Sequence, residues 1–405
     1  MGKTIASLFS SFDKNELMQL YLYPSLPNID VCGDYFRITD RDIINSLLKR
    51  EKCGRVIEQS EVKEDNTLYE SLREADEYKK IKRDSQFIRH IRDRVWQIGA
   101  WRSKDLIDWL NKGMPDVVFF ASGDAVFSYK IALWIAKILD IPLITYVCDE
   151  YYFSSKQKRG CDYVLTARLR KYIKKTIKVS AHVVTICPSL GKKYEDAFGV
   201  KYTAIMTGSS FAPHLSMQQA EGKCQISYIG NLSLNRGRCL IDIANTLAEV
   251  NKDSNSSYEL VYYGRENAEL ERTEGIRYGG FLSGGEIEAT MKTSHLLLHV
   301  ETMDSEYRER LRYSVSTKIA DSLASGTPLF AYGPSDIASV QHLLDNDCAF
   351  VCDDKNKLSD VLCDALFNEA KRACIQQRQR IVAEEFHGSA SNSEKLMITI
   401  KSVVM

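Results

Sequence analysis

Prolines and glycines are scarce, 8 and 22 among 405 residues, which excludes a collagen-like chain or one dominated by linkers. Net charge is absent as well. Lys and Arg number 54 and so do Asp and Glu. Broad, nonspecific binding to nucleic acid is therefore not expected, although a neutral chain can still carry a local basic patch. The 11 cysteines contain no Cys-x-x-Cys pair. The nearest two are Cys348 and Cys352, and the spaced histidines His295 and His299 lie far from any cysteine pair. No metal site is expected, and the cysteines read as reduced, small apolar residues. No apolar signal core follows Met1, so no secretory leader is expected. The strongest membrane-span candidate, Ile131–Cys148, carries Lys137, Asp140 and Pro142. It reads as a helix, a turn and a buried strand.

What is present is ample apolar material, 44% of residues, in a chain long enough for two domains at roughly 100–200 residues each. Helical and strand patterns alternate. In the first half, strands are expected at Met18–Tyr23, Tyr35–Ile38, Asp116–Ala121, Leu143–Cys148 and His182–Ile186. Helices are expected from Gly2 to Phe12, after an Asp40 cap through Leu48, over Ser128–Leu139 and over Leu190–Phe198. Phe87–Leu110 has helical spacing, with Trp96, Trp101 and Trp109 on a packed face. Glu58–Arg83 reads as a loop and an exposed helix. Gly208–Lys223 lacks periodicity, and the domain boundary is placed there.

Beyond it the alternation restarts with strands Gln225–Gly230, Glu259–Tyr263, Leu296–Val300, Leu329–Tyr332 and Ala349–Val351. Helices Cys239–Val250, Gly285–Lys292, Thr317–Ala324 and Ser335–Leu344 lie between them, and closing helices follow Leu358. Continuous apolar strands separated by helices are what a parallel sheet covered on both faces requires. Two such runs predict an α/β chain of two Rossmann-like, doubly wound domains facing a cleft. The domains are 1–208 and 224–388, with a last segment at 389–405.

Two stretches can carry chemistry. Ile226-Ser-Tyr-Ile-Gly230-Asn231 runs from a buried strand into a loop that reaches Arg236-Gly237 and a helix. A glycine admits close approach of a ligand to the backbone. A guanidinium at a helix start adds to the anion preference of unpaired N–H groups. The same residues fit a plain strand-to-helix loop. The second stretch is Ser316-Thr317-Lys318-Ile-Ala-Asp321, closed by Gly326 and Pro328. Ser316 or Thr317 can cap the helix. Lys318 can neutralise an anion at its start, and Asp321, one turn on, can accept from a vicinal diol such as a ribose. A nucleoside diphosphate presents both groups. An ordinary capped helix with a surface Lys–Asp pair has the same spacing. In the first half, Cys148-Asp149-Glu150-Tyr151 follows a buried strand. Asp149 or Glu150 there can point into a cleft and touch what binds in it; helix capping is the simpler role for either.

Together these motifs resemble GT-B glycosyltransferases of the large retaining family that includes sucrose synthases and many bacterial polysaccharide enzymes. The resemblance is specific over roughly Gln225–Val351 and architectural before it. It implies a nucleotide-sugar on the second domain, of UDP or GDP type, as co-substrate with no separate cofactor. It also implies a saccharide or lipid-linked acceptor on the first domain, and a crossing helix for which Ser391–Lys401 is the candidate. By position, Arg236 and Lys318 look like the basic pair on the diphosphate and Gly230 like the loop glycine. Ser316 and Thr317 look like backbone donors to phosphate, and Asp321 falls where the family commonly has a ribose-binding glutamate. The sequence departs from the family in two places. Asn231 stands among the donor-binding residues where an arginine is common. The Glu-x7-Glu signature is absent, with Tyr313 at its first position. Glu301 is a candidate substitute, and the charged insertion Thr302–Arg312 is a candidate wall of the sugar pocket. The family's first strand is not seen ahead of Gly2-Lys3-Thr4, so the first domain is expected to lack it.

The basic stretch Lys156–Lys178 fits either a solvated helix face or contact with an anionic membrane. The place expected for such a chain is the cytoplasm, peripheral to the inner face of the membrane. Competing readings are a P-loop-type NTPase, on Gly2-Lys3-Thr4 and the strand ending at Asp149-Glu150, and a non-catalytic glycosyltransferase-like binding module. An epimerase on the same plan is a further enzymatic possibility.

Overall fold

The structure is a computed structural model that describes residues 2–24, 26–27, 31–62, 86–153, 160–209, 211–213, 224–254 and 257–404. Chain contacts divide it into two compact units. Gly2, residues 4–204 and the residues from Ser393 onward form one, and Lys3 with 205–392 forms the other. Among the described residues no helix is long and apolar enough to cross a membrane.

In the first unit, helix α1 (Gly2–Leu8) precedes strands β1 (Met18–Tyr21) and β2 (Asp34–Arg37), helix α2 (Asp40–Lys49) and β3 (Arg55–Ile57). Helices α3 (Gln86–Gln97) and α4 (Lys104–Gly113) follow. The chain then alternates through β4 (Val118–Ala121), α5 (Val126–Leu139), β5 (Leu143–Val147), α6 (Gly160–Val179), β6 (His182–Thr185), α7 (Pro188–Phe198) and β7 (Tyr202–Ala204). The strands form two sheets rather than one. One has the order β1-β2-β3 and the other, all parallel, β4-β5-β6-β7. Both β1 and β4 are edge strands, so no described strand joins the two sheets. One core nevertheless serves both: Phe36, Ile38, Trp96, Trp101, Trp109 and Phe127 pack together with Met18 and Val118 against them.

Several local expectations are corrected. Helix α1 stops at Leu8, short of Phe12. The cap of α2 is Thr39, not Asp40; its hydroxyl accepts from the Asp42 N–H in a capping box, and Asp40 is already helical. Helical spacing over Phe87–Leu110 hides a break, because Gly99 takes φ +83°, a conformation glycine adopts without penalty. Ser103 then caps α4. All three tryptophans are buried, as the spacing predicts. The antiparallel β3 and the three-residue β7 are too short for periodicity to reveal. Residues 63–83 of the polar stretch, most of the 208–223 boundary and the basic residues Lys156, Lys158 and Arg159 lie outside the described residues.

The second unit runs β8 (Cys224–Ile229), α8 (Arg236–Ser254), β9 (Tyr258–Tyr263), α9 (Ala268–Glu271), β10 (Ile276–Tyr278), α10 (Gly284–Thr293), β11 (Leu296–Val300), α11 (Ser305–Leu311), α12 (Lys318–Ala324), β12 (Leu329–Tyr332), α13 (Ala338–Asp345) and β13 (Phe350–Cys352). Helices α14 (Leu358–Phe367), α15 (Glu369–His387) and α16 (Ser389–Val404) close the chain. Six parallel strands stand in the order β10-β9-β8-β11-β12-β13. β11 and β12 are buried at every position, as strands covered on both faces must be. Helix α8 turns Leu240, Ile243, Ala244, Leu247 and Val250 onto the sheet at three- and four-residue spacing. The insertion expected at Thr302–Arg312 is largely the short helix α11, capped by Asp304. Helix α16 starts in this unit and from Ser393 belongs with the first. There the Ser393 hydroxyl accepts from the Ser11 N–H at 3.0 Å.

Candidate functional site

The strand order of the second unit reverses between β8 and β11. Chain connections leave these two neighbours on opposite faces, which opens a crevice beyond their carboxyl ends, where ligands of doubly wound sheets bind. Gly230 follows β8 immediately, and Glu301 follows β11.

Gly230 is shaped by what surrounds it. A Cβ placed there would lie 1.8 Å from Lys318 Nζ, so any other residue displaces that ammonium. Its N–H donates to the Tyr263 carbonyl at 3.0 Å. Lys318, the first residue of α12, projects over the Tyr228 ring, 4.9 Å from its centroid, an attractive cation–π placement. The Tyr228 hydroxyl donates to the Asn231 carbonyl at 2.7 Å.

The loop from Asn231 to Asn235 is tightly wound. The Asn231 side-chain oxygen accepts from the Ser233 hydroxyl at 2.6 Å and its N–H at 3.2 Å. Leu234 and Asn235 both take left-handed φ, 62° and 60°, which a leucine adopts only under constraint. This delivers Arg236 to the start of α8. Its Nη2 and Nε donate to one oxygen of Glu301, Oε2, at 2.8 and 3.1 Å. Its Nη1 faces Asn231 Oδ1 and the Ser233 carbonyl, both at 3.4 Å.

Glu301 is 3% exposed and His299 6%. Room for Glu301 exists because residue 333 is glycine; a Cβ there would stand 2.8 Å from that of Glu301. His299 Nε2 lies 3.6 Å from Glu301 Oε1 and has no hydrogen-bond partner among the described residues. The electrostatics follow from this crowding. Burial, then Arg236, push Lys318 down to about 8, against the pull of Glu301. Burial, then Lys318 and Arg236, push His299 down to about 3, so it is neutral. Burial raises Glu301, opposed chiefly by Arg236.

Five residues singled out in the sequence, Gly230, Asn231, Arg236, Glu301 and Lys318, thus meet at the switch point. The remaining ones stand apart. Ser316 donates its N–H to Ser339 Oγ at 3.0 Å. Thr317 is exposed and already in helical φ/ψ, and it makes no side-chain cap. The expectation that either hydroxyl caps α12 is corrected on that ground. Asp321 is buried and accepts from Ser209 Oγ at 3.1 Å. Asp149 belongs to the other unit. It is exposed just past β5 and accepts from the Tyr151 hydroxyl at 3.3 Å. The neighbouring Glu150 carboxylate accepts the N–H groups of Tyr152 and Phe153, which is a turn-capping role. Sequence reasoning missed Tyr228, His299 and Gly333. A glycine directly after an apolar strand, as in Leu329–Tyr332 then Gly333, is the one local signal that could have marked the crevice.

No protein-family model and no curated protein sequence matches the chain. Solved structures do. Anabaena HepE in complex with UDP-glucose superposes with a TM-score of 0.53 at 13% identity, over 74% of this chain and 82% of that one. A sucrose-phosphate synthase from Thermosynechococcus elongatus gives 0.54 at 10%, over 74% and 76%. An α,α-trehalose-phosphate synthase (UDP-forming) from Burkholderia xenovorans, in complex with glucose-6-phosphate, gives 0.54 at 10%, over 77% and 80%. The chain shares their GT-B fold.

Proposed function

We propose that the chain is a glycosyltransferase that moves a hexosyl group from a nucleoside-diphosphate sugar to a saccharide or lipid-linked acceptor. The observation that carries this is the convergence of Arg236 and Lys318 beyond the carboxyl ends of β8 and β11, across from Gly230. As the glycosidic bond breaks, negative charge grows on the departing diphosphate. Two cations held in place beforehand stabilise that charge without reorganising, which is the role a metal ion would otherwise fill, so the transfer is read as metal-independent. At the start of α12 the Ser316 N–H is committed to Ser339 Oγ, so of the two residues Thr317 is the one assigned to the phosphate through its backbone. Asp321, whose two carboxylate oxygens already accept from Ser209 Oγ and from Lys3 Nζ, is assigned to the ribose, and Asp149 to the acceptor. The fold shared with HepE, solved with UDP-glucose, supports a nucleotide-sugar donor. Retention at the anomeric carbon and a role in bacterial surface polysaccharide synthesis extend the reading from the family resemblance.

The test is a thermal-shift screen with UDP, GDP and ADP. A nucleotide at 100 times its dissociation constant adds about 2.7 kcal/mol of stability, so one of the three should raise the midpoint by several degrees. A chain that none of them stabilises is not of this class. Stabilisation without transfer to any of a panel of acceptors points to a non-catalytic binding module. Hydrolysis of a nucleoside triphosphate that needs magnesium and no sugar points to an NTPase.

We also assign a membrane contact, at the inner face of the cytoplasmic membrane, to α6. Its exposed residues include Tyr163, Val164, Lys171, Lys174, Lys175 and Lys178, a single helical face with no exposed acid. Basic residues at an anionic surface contribute about 1 kcal/mol each. The chain should therefore sediment with vesicles rich in phosphatidylglycerol, and less so in high salt. Equal sedimentation with neutral phosphatidylcholine vesicles would sink this assignment.

A further inference from the structure

In the structure the cation that should meet the donor is already occupied. Arg236 commits both Nε and Nη2 to Glu301 Oε2, and only Nη1 faces the Asn231–Ser233 loop. A diphosphate cannot use the two-pronged edge of that guanidinium while the carboxylate is there. We propose that Glu301 is a displaceable internal anion: it holds Arg236 while the donor site is empty, yields that guanidinium to the donor's diphosphate, and takes a proton from solvent as it does so. This rests on the donor-site reading above.

The main chain at Glu301 cannot carry the carboxylate out to water. Its N–H donates to the Tyr332 carbonyl at 2.9 Å, its carbonyl accepts from Cys239 Sγ at 3.3 Å, and Gly333 abuts its Cβ. Only side-chain rotation inside the site is open to it. The groups that face it are Arg236 and Cys239 on α8, Tyr228 on β8, Lys318 on α12 and His299 on its own strand. A diphosphate brings two further negative charges to Arg236 and Lys318. An ionised carboxylate left buried beside them, without its guanidinium, is costly, and neutralisation by a proton is the ordinary response. The structure also holds an acceptor for that proton. His299 Nε2 is buried and unpartnered among the described residues, 3.6 Å from Glu301 Oε1. Burial keeps its ring neutral, so one ring nitrogen can accept. A protonated Glu301 donating to Nε2 satisfies both groups.

The proton count is measurable. UDP-glucose and GDP-mannose are suitable probes, because the diphosphate of a sugar ester does not titrate near neutrality. Calorimetry at pH 7.0, in buffers of differing ionisation enthalpy, should show uptake of more than about half a proton per donor bound. Lys318, at about 8, is already mostly charged at that pH and can supply only about one-tenth of a proton. Glu301→Gln should still bind, with uptake reduced to roughly that tenth. Donor binding to the unaltered chain with less than about 0.2 proton overturns the inference alone, as does undiminished uptake in Glu301→Gln. Should Glu301→Gln fail to fold, His299→Asn serves: its amide oxygen can still accept from Glu301, so uptake should persist, and loss of uptake there would place the proton on His299 and refute the assignment to Glu301. Where UDP, GDP or ADP stabilises the chain and neither probe binds, a sugar nucleotide of that base replaces them; a chain that binds neither probe and that none of the three nucleotides stabilises overturns the donor-site reading itself, and this inference with it.

Discussion

On the proposed reading, Arg236→Ala and Lys318→Ala should each lower sugar transfer by roughly 10²-fold or more, the size of effect that follows removal of one preorganised charge from a developing anion. The two losses have different structural contexts. Removing Arg236 leaves the Glu301 carboxylate buried without its partner, and breaking a buried pair in this way destabilises by about 3–5 kcal/mol. Arg236→Lys is therefore the more informative change. It keeps the charge and loses the planar fork that holds one carboxylate oxygen by two bonds. Transfer should fall while folding is largely preserved. Lys318→Ala takes the ammonium from above Gly230 and the Tyr228 ring, leaving open space and no unpaired partner, so its deficit should be confined to turnover and donor affinity. Initial rates with UDP- and GDP-sugars, on proteins checked for folding by thermal unfolding, are the measurement. Unchanged turnover in both Arg236→Lys and Lys318→Ala would remove the enzymatic assignment.

Mild acid should destabilise the unit of residues 205–392 by several kcal/mol, and buried histidines are the cause. His299, His342 and His387 are each nearly inaccessible to water. Burial pushes the first two down to about 3 and the third to about 4, all below the unfolded value of about 6.5. The sign follows directly. The unfolded chain binds protons that the folded one refuses, so the stability these residues allow is fully present above pH 6.5. It is lost as pH falls toward 4 or 3. From pH 7 to 5 each contributes a loss of about 2 kcal/mol at most.

Two of the three form a proton-ordered chain. His387 Nδ1 donates to the Thr207 carbonyl at 2.9 Å, so its Nε2 accepts from His342 Nε2–H at 3.1 Å. His342 Nδ1 in turn accepts from the Asn346 amide at 3.3 Å. A proton added to His387 turns its acceptor into a donor facing a donor. Denaturant melts at pH 7 and pH 5 test this. Coincident midpoints for the transition of this unit would rule it out, and His342→Gln, which removes one titrating group, should flatten the dependence.

The residues that meet at the switch point were legible because each sits where periodicity changes. A buried strand ends at Gly230, a helix begins at Arg236, and Lys318 follows two hydroxyl residues before an apolar helix. Glu301 was legible only as the end of an apolar strand; nothing in its neighbourhood shows that it faces Arg236, 65 positions earlier. Thr39, rather than Asp40, caps α2 because a capping box needs the hydroxyl three residues ahead of Asp42, and the local sequence by itself does not show which of the two adjacent residues stays outside the helix. Gly99 was passed over because a single glycine within helical spacing does not announce its sign of φ.

Alternation of apolar strands with amphipathic helices sufficed to determine the α/β class, the doubly wound second half and the positions where a loop could admit an anion, since these depend on contacts a few residues apart and on a residue's own preference for burial. Strand order, the split of the first unit's strands into two sheets and the closure of Arg236 on Glu301 beside a neutral His299 were decided only in three dimensions. Those outcomes depend on which distant segments exclude water from one another, and burial, which sets both the pairing and the protonation of the site, is a property of the assembled sheet and its covering helices.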